Sequence, residues 1–439
     1  MFVVITYEIL NREAPFISAL TSQFKRDGIS AIVLHQQHLV PILRFLPKCF
    51  IIFKSADHGR LPWYKLAKKY LHTVSCFDSE GLFVHPKDFT KVRISSDVYE
   101  LLDIYFICGV YQKGLLTNAP SFDASKSLVV GSPSIDFLKS LNIFERGVPK
   151  FDIGILTGFG GYNHRGGHDY RLLVQSIKNT PFTKQELSDI NEYIDTARRA
   201  LFEYVDLVSN ICKKYSQLKI LIRVHPSECP KRWKCLEEQF PQQISVDSTG
   251  TIFEFLNKTN LIVSFKSTVS LEALALKKPI ISYAPSSIDP NNIFYPNNEP
   301  SNLSLLVTER SDLFSYIDAI VSNEYKTISL PTPPSALQTA DSICEGFSSC
   351  TYSSVTYLVS YITEHFQPSR LSIINRILLC YISVLCFFSH VFLIVRRPKS
   401  YLLYGRSKIG SRLKLAGLSP DKSNPFSLIL AFVTRTIIT

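Results

Sequence analysis

Short apolar runs alternate with amphipathic segments through the first third of the chain. The segment from Pro15 to Arg26 predicts a helix, because Phe16, Leu20 and Phe24 fall on one face at helical spacing. Strands that alternate with helices favour an α/β unit built on a doubly wound parallel sheet. The predicted strands of this unit are residues 2–6, 31–34, 49–53, 73–76, 105–108 and 128–130.

A second set of apolar runs predicts a second unit of the same kind. A long helix is expected at residues 184–215, among the strands of this unit. Two Rossmann-like units in tandem would face each other across a cleft, where open α/β sheets bind ligands. The strands of the second unit are expected at residues 153–156, 218–224, 261–263 and 280–283.

Composition shifts predict where these units begin and end. The boundary between them is expected near residues 142–152, and the stiff Pro-rich stretch 330–335 closes the second unit. Residues 339–366 are expected to be helical and to return to the first domain. The predicted parts are an N-terminal domain (1–145), a second domain (146–330), a link with a return helix (331–370) and a tail (371–439).

The tail contains an apolar run without formal charge at residues 377–395. As a helix it would be about 28 Å long, just enough to cross a bilayer, while a helix on the membrane surface and a buried core helix are the alternatives. From Arg396 onward the sequence has nine basic residues and one acidic residue, Asp421. The net charge of this segment is +8, which is most of the +11 of the whole chain. We expect this tail to bind anionic lipid at the cytoplasmic face of the inner membrane.

The rest of the chain is close to neutral, and a nucleic-acid-binding protein is therefore not expected. With 46% hydrophobic and 19% charged residues, the 439-residue chain is not mainly disordered. The ten cysteines include no C-x-x-C pair, which favours reduced core cysteines in a cytosolic protein. The N-terminus predicts a first strand and not a signal peptide.

Two loops of the second unit carry residues that suit a bound phosphate. Each follows an apolar run that stops abruptly, as a buried parallel strand does when it ends at a crevice. The second loop leads into a predicted helix, where hydroxyl groups, a lysine and backbone N–H groups would suit an anion. The candidate residues are His225 and Pro226 in the first loop, and Lys266, Ser267, Thr268 and Glu272 in and after the second.

Two further features of the second unit are candidates for the donor side. The glycine-rich segment 158–168 follows the first strand of the second unit, and Gly158 and Asn163 would contact a phosphate or sugar there. A flexible surface loop is the alternative for this segment. Arg223 precedes His225 by two residues and should point to the same face, where it would neutralise an anion or pair with a structural acid.

The catalytic candidates Asp78 and Glu80 follow the predicted strand 73–76 of the first unit and precede Gly81. In an inverting transfer, such a carboxylate accepts the proton of the acceptor hydroxyl, whereas in a double displacement it attacks the anomeric carbon. A solvated turn closed by Gly81 is the structural alternative. Candidates for the acceptor side follow the third strand and are Lys54, Ser55, Asp57 and His58.

The spacing of His225-Pro226, of Ser267-Thr268 and of the following Glu-Ala and Lys-Pro-Ile segments resembles the donor half of GT-B glycosyltransferases that use CMP-activated acidic sugars. Bacterial sialyltransferases and Kdo transferases of capsule and lipopolysaccharide assembly are such enzymes. The resemblance implies that His225, Ser267 and Thr268 hold the phosphate and ribose of CMP.

The first unit looks similar to surface-carbohydrate biosynthesis proteins related to retaining β-Kdo transferases. The resemblance rests on the acidic stretch before Gly81, on Lys54-Ser55 and on the Gly-x-Pro-x-x-Asp turn at residues 131–136. Ser79 between the two acids departs from the family pattern, and so it is open which carboxylate reacts.

These resemblances imply a membrane-associated GT-B transferase of surface polysaccharide biosynthesis. It would move Kdo or a related acidic sugar from CMP to a glycolipid or glycan acceptor. With no Asp-x-Asp motif and no metal-ligand cluster in the sequence, transfer is expected to need neither a metal nor another cofactor. The alternatives are an enzyme that uses CDP-glycerol or a UDP-sugar, and a non-catalytic membrane scaffold.

Overall fold

The computed structural model describes residues 2–8, 10–78, 93–117, 122–140, 149–172, 181–265, 267–288, 303–322, 336–349 and 353–366. Strands in the first part are β1 (Phe2–Tyr7), β2 (Ser30–His35), β3 (Phe50–Phe53), β4 (Thr73–Phe77), β5 (Ile104–Ile107) and β6 (Ser127–Val129). Strands in the second part are β7 (Phe151–Leu156), β8 (Ile220–Arg223), β9 (Ile244–Asp247), β10 (Thr259–Ser264), β11 (Ile280–Tyr283) and β12 (Leu305–Val307).

These strands form two six-stranded parallel sheets. The first sheet has the order β2-β1-β3-β4-β5-β6, and the second has the order β12-β11-β10-β7-β8-β9. The pairings in both sheets are parallel, as in β1 with β3 and in β7 with β10. The prediction of an α/β protein with two doubly wound parallel sheets is therefore confirmed.

The strand order locates a switch point in each sheet, where successive connections leave in opposite directions. In the first sheet it lies between β1 and β3, and in the second sheet it lies between β7 and β10. Open α/β sheets bind ligands outside the carboxyl ends of the strands at such points. The second sheet has the 3-2-1-4-5-6 order of dinucleotide-binding folds when its own strands are numbered from β7.

Helices connect the strands and cover both faces of the sheets. Their bounds are α1 (Leu10–Arg26), α2 (Gln36–Ile42), α3 (Leu61–Lys69), α4 (Ser96–Leu101), α5 (Val110–Thr117), α6 (Pro133–Ser140), α7 (Lys184–Lys214), α8 (Lys231–Gln239), α9 (Ile252–Lys258), α10 (Val269–Ala275), α11 (Arg310–Val321), α12 (Ala336–Ile343) and α13 (Ser354–His365). Short 3-10 helices lie at Leu43–Phe45, His58–Arg60 and Ala124–Lys126.

The long helix α7 was expected from its periodicity, and its bounds match the prediction within one residue. It begins at a capping box, in which the Thr183 side chain accepts a hydrogen bond from the Glu186 backbone and the Glu186 carboxylate accepts one from the Thr183 backbone. Its buried stripe, which includes Leu201, Tyr204 and Val208, packs into the core of the second sheet.

Residues 336–349 and 353–366 pack against the first sheet and its helices. The Lys139 ammonium of α6 donates to the carbonyl groups of Gly346 and Ser349 (3.1 and 2.8 Å), and the Ser354 backbone N–H donates to Asp136 (2.6 Å). A Cβ atom at Gly109 would lie 2.3 Å from the backbone of this segment, and so only glycine fits there.

The tail lies outside the described residues, together with its apolar run 377–395. Among the helices that the structure describes, none has the length and apolarity to cross a bilayer.

Candidate functional site

Three loops meet at the switch point of the second sheet. They follow β7, β8 and β10, which are neighbours in the order β10-β7-β8. Because strands lie about 4.8 Å apart, the first residues of the outer two loops start about 10 Å from each other. We call these segments the switch-point loops: residues 157–168, 224–229, and 265 with 267–268.

His225 is exposed in the loop after β8 and is fixed at both its backbone and its ring. Its backbone N–H donates to the Thr157 hydroxyl at 3.0 Å, which ties this loop to the loop after β7. The ring Nδ1 lies 2.7 Å from the Ser227 hydroxyl and accepts from the Ser227 backbone N–H at 3.2 Å. A backbone N–H can only donate, so Nδ1 is an acceptor and the proton of the neutral ring is on Nε2. The outer edge of His225 is therefore a hydrogen-bond donor.

Glu228 joins two of these loops, and its role was not predicted. Its side chain is buried and accepts hydrogen bonds from the Phe159 backbone (3.1 Å), the Asn163 amide (3.2 Å) and the Trp233 indole (2.8 Å). A buried carboxylate needs hydrogen bonds to its oxygens, and so the three groups that donate to Glu228 are held in one arrangement around it. Glu228 thus holds the glycine-rich loop against the loop that carries His225.

The glycine-rich segment is a packed loop. Two of its glycines lie so close to neighbouring protein atoms that a larger residue would not fit. A Cβ atom at Gly160 would lie 2.4 Å from the Ser227 hydroxyl, and one at Gly161 would lie 2.3 Å from the Tyr193 ring. Asn163 donates to Glu228 and to the Cys229 carbonyl (2.8 Å), and its own carbonyl accepts from the Cys229 backbone (2.7 Å). The structure thus places the predicted donor residue Asn163 in contacts between loops, while Gly158 is exposed.

Phe159 connects the loop after β7 to the loop after β10. Its buried ring lies 6.2 Å from the Phe265 ring, 6.4 Å from the Trp233 ring and 5.3 Å from the Tyr204 ring. Aromatic rings at these separations pack in tilted contacts that contribute beyond the buried area alone. All three switch-point loops are therefore held together by Phe159, Glu228 and the His225 backbone.

The loop after β10 presents two hydroxyl groups before α10. The Ser267 hydroxyl accepts from the Val269 backbone (3.2 Å), and Thr268 is exposed. Glu272 is half-buried in the first turn of α10, and Lys266 lies outside the described residues. At the end of β10, the Ser264 hydroxyl is buried and has no hydrogen-bond partner among the residues that the structure describes.

Arg223 engages the loop after β9. Its Nη2 donates to the Gly250 carbonyl (2.6 Å), and its Nη1 lies 3.7 Å from the Asp247 carboxylate. Burial lowers the pKa of the guanidinium, which Asp247 partly offsets. Of the two roles considered for Arg223, pairing with a structural acid is the one that these contacts favour.

The acceptor-side candidates follow β3 at the switch point of the first sheet. Lys54 is buried with its ammonium 3.8 Å from the Glu13 carboxylate, which is also buried. The carboxylate of Asp57 lies 3.5 Å from Arg60, and the ring of the exposed His58 lies 3.7 Å from an Asp97 carboxylate.

Ser55 contributes to this region through its backbone, since its carbonyl accepts from the Tyr64 hydroxyl (3.0 Å). The structure therefore divides the four candidates: Lys54 and the Ser55 backbone are tied into the interior, while Asp57 and His58 face the surface.

Asp78 lies directly after β4 and is buried. Arg93 binds both of its carboxylate oxygens, with Nε 2.8 Å from Oδ2 and Nη2 against Oδ1. A bidentate pair of this kind fixes the geometry of the carboxylate. A substrate group that needs the Asp78 oxygens would have to compete with the guanidinium for them. Glu80 lies outside the described residues, in the segment 79–92. Asp78 and Arg93, which form the ion pair, are the described residues on either side of this segment.

The buried thiols near Asp78 are not nucleophiles. Burial raises the pKa of Cys76, and the Asp78 carboxylate raises it further. Burial also raises the pKa of Cys108 well above its ordinary value. Both thiols are therefore protonated at neutral pH, and only a thiolate would attack a sugar.

No protein-family model and no curated protein matches this chain. Among solved structures, it is similar to a variant of the wall teichoic acid polymerase TagF, with 13% identity and a TM-score of 0.50 over 83% of this chain and 88% of that chain.

Two further similar structures have TM-scores slightly below that value. They are S. aureus MnaA with UDP (12% identity, TM-score 0.49, 84% of this chain and 100% of that chain) and the UDP-GlcNAc 2-epimerase from Neisseria meningitidis bound to UDP-GlcNAc (13% identity, TM-score 0.47, 83% of this chain and 100% of that chain). At 13% identity, the similarity to the TagF variant shows the fold alone, which is the two-domain α/β fold of the GT-B type.

Proposed function

We propose that this protein is a GT-B glycosyltransferase of surface polysaccharide biosynthesis. The observation that carries the proposal is the arrangement of the switch-point loops. Glu228 and Phe159 hold these loops together, and His225 presents its Nε2–H donor at their exposed edge. Loops at the switch point of a sheet with this strand order form a nucleotide site in many α/β proteins.

The leaving nucleotide phosphate is the group that these loops would stabilise. His225 would donate from Nε2, while Ser267 and Thr268 would donate from their hydroxyl groups across the span of about 10 Å between the loops. The buried Ser264 hydroxyl at the end of β10 would supply a further donor toward this region. Donors fixed before the reaction cost little reorganisation when negative charge develops on the leaving group.

Glu80 is proposed to act on the sugar or on the acceptor hydroxyl, as a nucleophile or as a general base. Asp78 is the less suited of the two acids, because Arg93 already binds both of its oxygens. In this proposal the ion pair between Asp78 and Arg93 fixes the two ends of the segment that carries Glu80.

The proposed donor is CMP-Kdo or a related CMP-activated acidic sugar, and the acceptor is a glycolipid or a glycan. This choice rests on the motif resemblance around His225, Ser267 and Thr268. The tail is proposed to hold the enzyme at the cytoplasmic face of the inner membrane through its apolar run and its basic residues.

Incubation of the full chain with CMP-Kdo and an acceptor lipid tests the proposal, with products and intact protein followed by mass spectrometry. Product formation supports a transferase, and a covalent sugar adduct on the protein identifies a double displacement. Parallel reactions with CDP-glycerol and with a UDP-sugar separate the alternative donors. If the protein binds none of these donors and forms no product, the proposal is wrong.

A further inference from the structure

A small apolar and basic surface lies at the amino edge of the first sheet, opposite the edge that carries Lys54 and Asp78. It consists of Arg44, Phe45, Lys48, Lys69 and Leu71, and we call it the amino-edge patch. All five side chains are exposed, with Phe45 at 42% and Leu71 at 66% of their full exposure. Among the residues that the structure describes, the three cations of this patch form no ion pair with a carboxylate.

Hydrogen bonds bring the two halves of the patch together. The ring of His72, which follows Leu71, donates from Nε2 to the Leu43 carbonyl (3.0 Å). Its Nδ1 lies 3.3 Å from the Cys49 thiol, and the Thr73 backbone donates to the Cys49 carbonyl (3.0 Å). The segment 43–49 and the end of α3 therefore form one continuous surface before β3 and β4.

Leu71 has an exposed apolar side chain at the end of α3, at a position that glycine usually occupies. It follows the C-cap of α3 with a φ of 59°, a left-handed conformation that glycine adopts far more readily than leucine. Its side chain nevertheless projects into solvent. The backbone N–H groups of Leu71 and His72 donate to the carbonyls of Lys68 and Ala67 (2.9 and 3.1 Å), which is the Schellman pattern that ends a helix. A leucine in place of the usual glycine thus adds an apolar side chain to a surface that also carries cations, as membrane-contacting surfaces do.

The described chain also ends at this edge. The ring of Phe366, the last described residue, lies 4.7 Å from the ring of Phe50, the first residue of β3. Lys48 precedes Phe50 by two residues and is thus at most about 7 Å away along the chain. From Phe366 the sequence continues toward the apolar run 377–395 and the nine basic residues beyond it.

We propose that the amino-edge patch docks on an anionic bilayer, with Phe45 and Leu71 entering the interface and Arg44, Lys48 and Lys69 facing lipid phosphates. Cations near an anionic membrane and aromatic or leucine side chains at its interface are the groups that hold peripheral proteins there. The folded domain then contacts the same membrane as the tail, and its carboxyl edge lies about 13 Å farther from the lipid, the length of β3.

Photocrosslinking in the full chain distinguishes this docking from attachment through the tail alone. Phe45→p-benzoylphenylalanine is illuminated with vesicles of phosphatidylcholine and phosphatidylglycerol, and lipid adducts are detected by intact mass. Phe202→p-benzoylphenylalanine is the matched control, because Phe202 has 43% exposure and packs beside Arg232 as Phe45 packs beside Arg44.

An adduct at position 45 and none at position 202 is expected. Docking is refuted if position 45 forms no adduct while the protein sediments with the vesicles, or if both positions react equally. A covalent dimer formed at position 45 without vesicles would assign the patch to a second copy of the chain, and would refute docking as well.

Vesicle binding of substituted full-length chains gives an independent measurement. Each of Lys48→Gln and Lys69→Gln should lower the partition coefficient on phosphatidylglycerol vesicles about fivefold, whereas Lys213→Gln on the surface of α7 should leave it unchanged. Leu71→Gly should weaken binding several-fold with the fold intact, because glycine accepts the left-handed backbone. Partition coefficients equal to those of the unmodified chain would contradict the proposal.

Discussion

Glu228→Gln is the substitution that most sharply tests how the switch-point loops are held. The amide has the same shape as the carboxylate but only one acceptor oxygen. If that oxygen keeps its bonds to Trp233 and Asn163, the new NH₂ group faces the backbone N–H of Phe159, and two donors oppose each other.

The energetic cost follows from those contacts. The substitution removes one charge-assisted hydrogen bond and leaves the buried N–H of Phe159 without an acceptor, which together lower the free energy of unfolding by about 2–4 kcal/mol. A neutral amide is easier to bury than a carboxylate, and this partly offsets the loss. We expect a net loss of about 2 kcal/mol in the free energy of unfolding. If the loops alone bear this cost, the fraction of molecules with the correct loop geometry falls, and the Kd for CMP rises by at most about 30-fold.

Urea unfolding and calorimetric titration with CMP measure the two effects separately. Glu238→Gln is the matched control, since Glu238 is an exposed glutamate in α8 and its substitution removes the same charge. It should change stability by less than about 0.5 kcal/mol. If Glu228→Gln has the stability and the CMP affinity of Glu238→Gln, then Glu228 does not hold these loops and the reasoning is refuted.

Three other substitutions give further predictions. Gly160→Ala should weaken CMP binding several-fold with little loss of stability, because its Cβ would displace the Ser227 hydroxyl (2.4 Å) that contacts the ring of His225; calorimetric titration checks this. Gly114→Ala in α5 should leave binding unchanged and raise the free energy of unfolding by about 0.5–1 kcal/mol, as measured in urea, since no atom lies within 4 Å of its Cβ. Arg93→Lys should reduce transfer at least tenfold while CMP affinity persists, because lysine cannot bind both oxygens of Asp78; unchanged turnover would contradict this.

The sequence predicts the fold best where strands are buried on both faces. Central strands such as β3 and β5 are uninterrupted apolar runs, and their positions match the prediction within a residue. The strands β9 and β12 were not predicted. Both lie at edges of the second sheet, where half-exposed positions such as Ser245 and Leu306 remove the continuous apolar signal.

The same limit applies to the candidate site. An apolar run that stops abruptly marks a strand end, and this signal located the loops of His225 and Ser267. Glu228 carries no such local signal, because its partner Phe159 is 69 residues away and its burial depends on two loops meeting. The pairing of Arg93 with Asp78 was likewise out of reach, since nothing in the intervening residues indicates that these two positions meet.

Binding of CMP to the unmodified protein and to His225→Ala tests the central claim most directly. At a ligand concentration of about one hundred times Kd, CMP should stabilise the unmodified protein by about 2.7 kcal/mol, which raises its Tm by several degrees. UDP at the same concentration should have a much smaller effect, and His225→Ala should lose most of the stabilisation by CMP while keeping its own Tm. If CMP stabilises neither protein, or stabilises both equally, the switch-point loops are not the donor site.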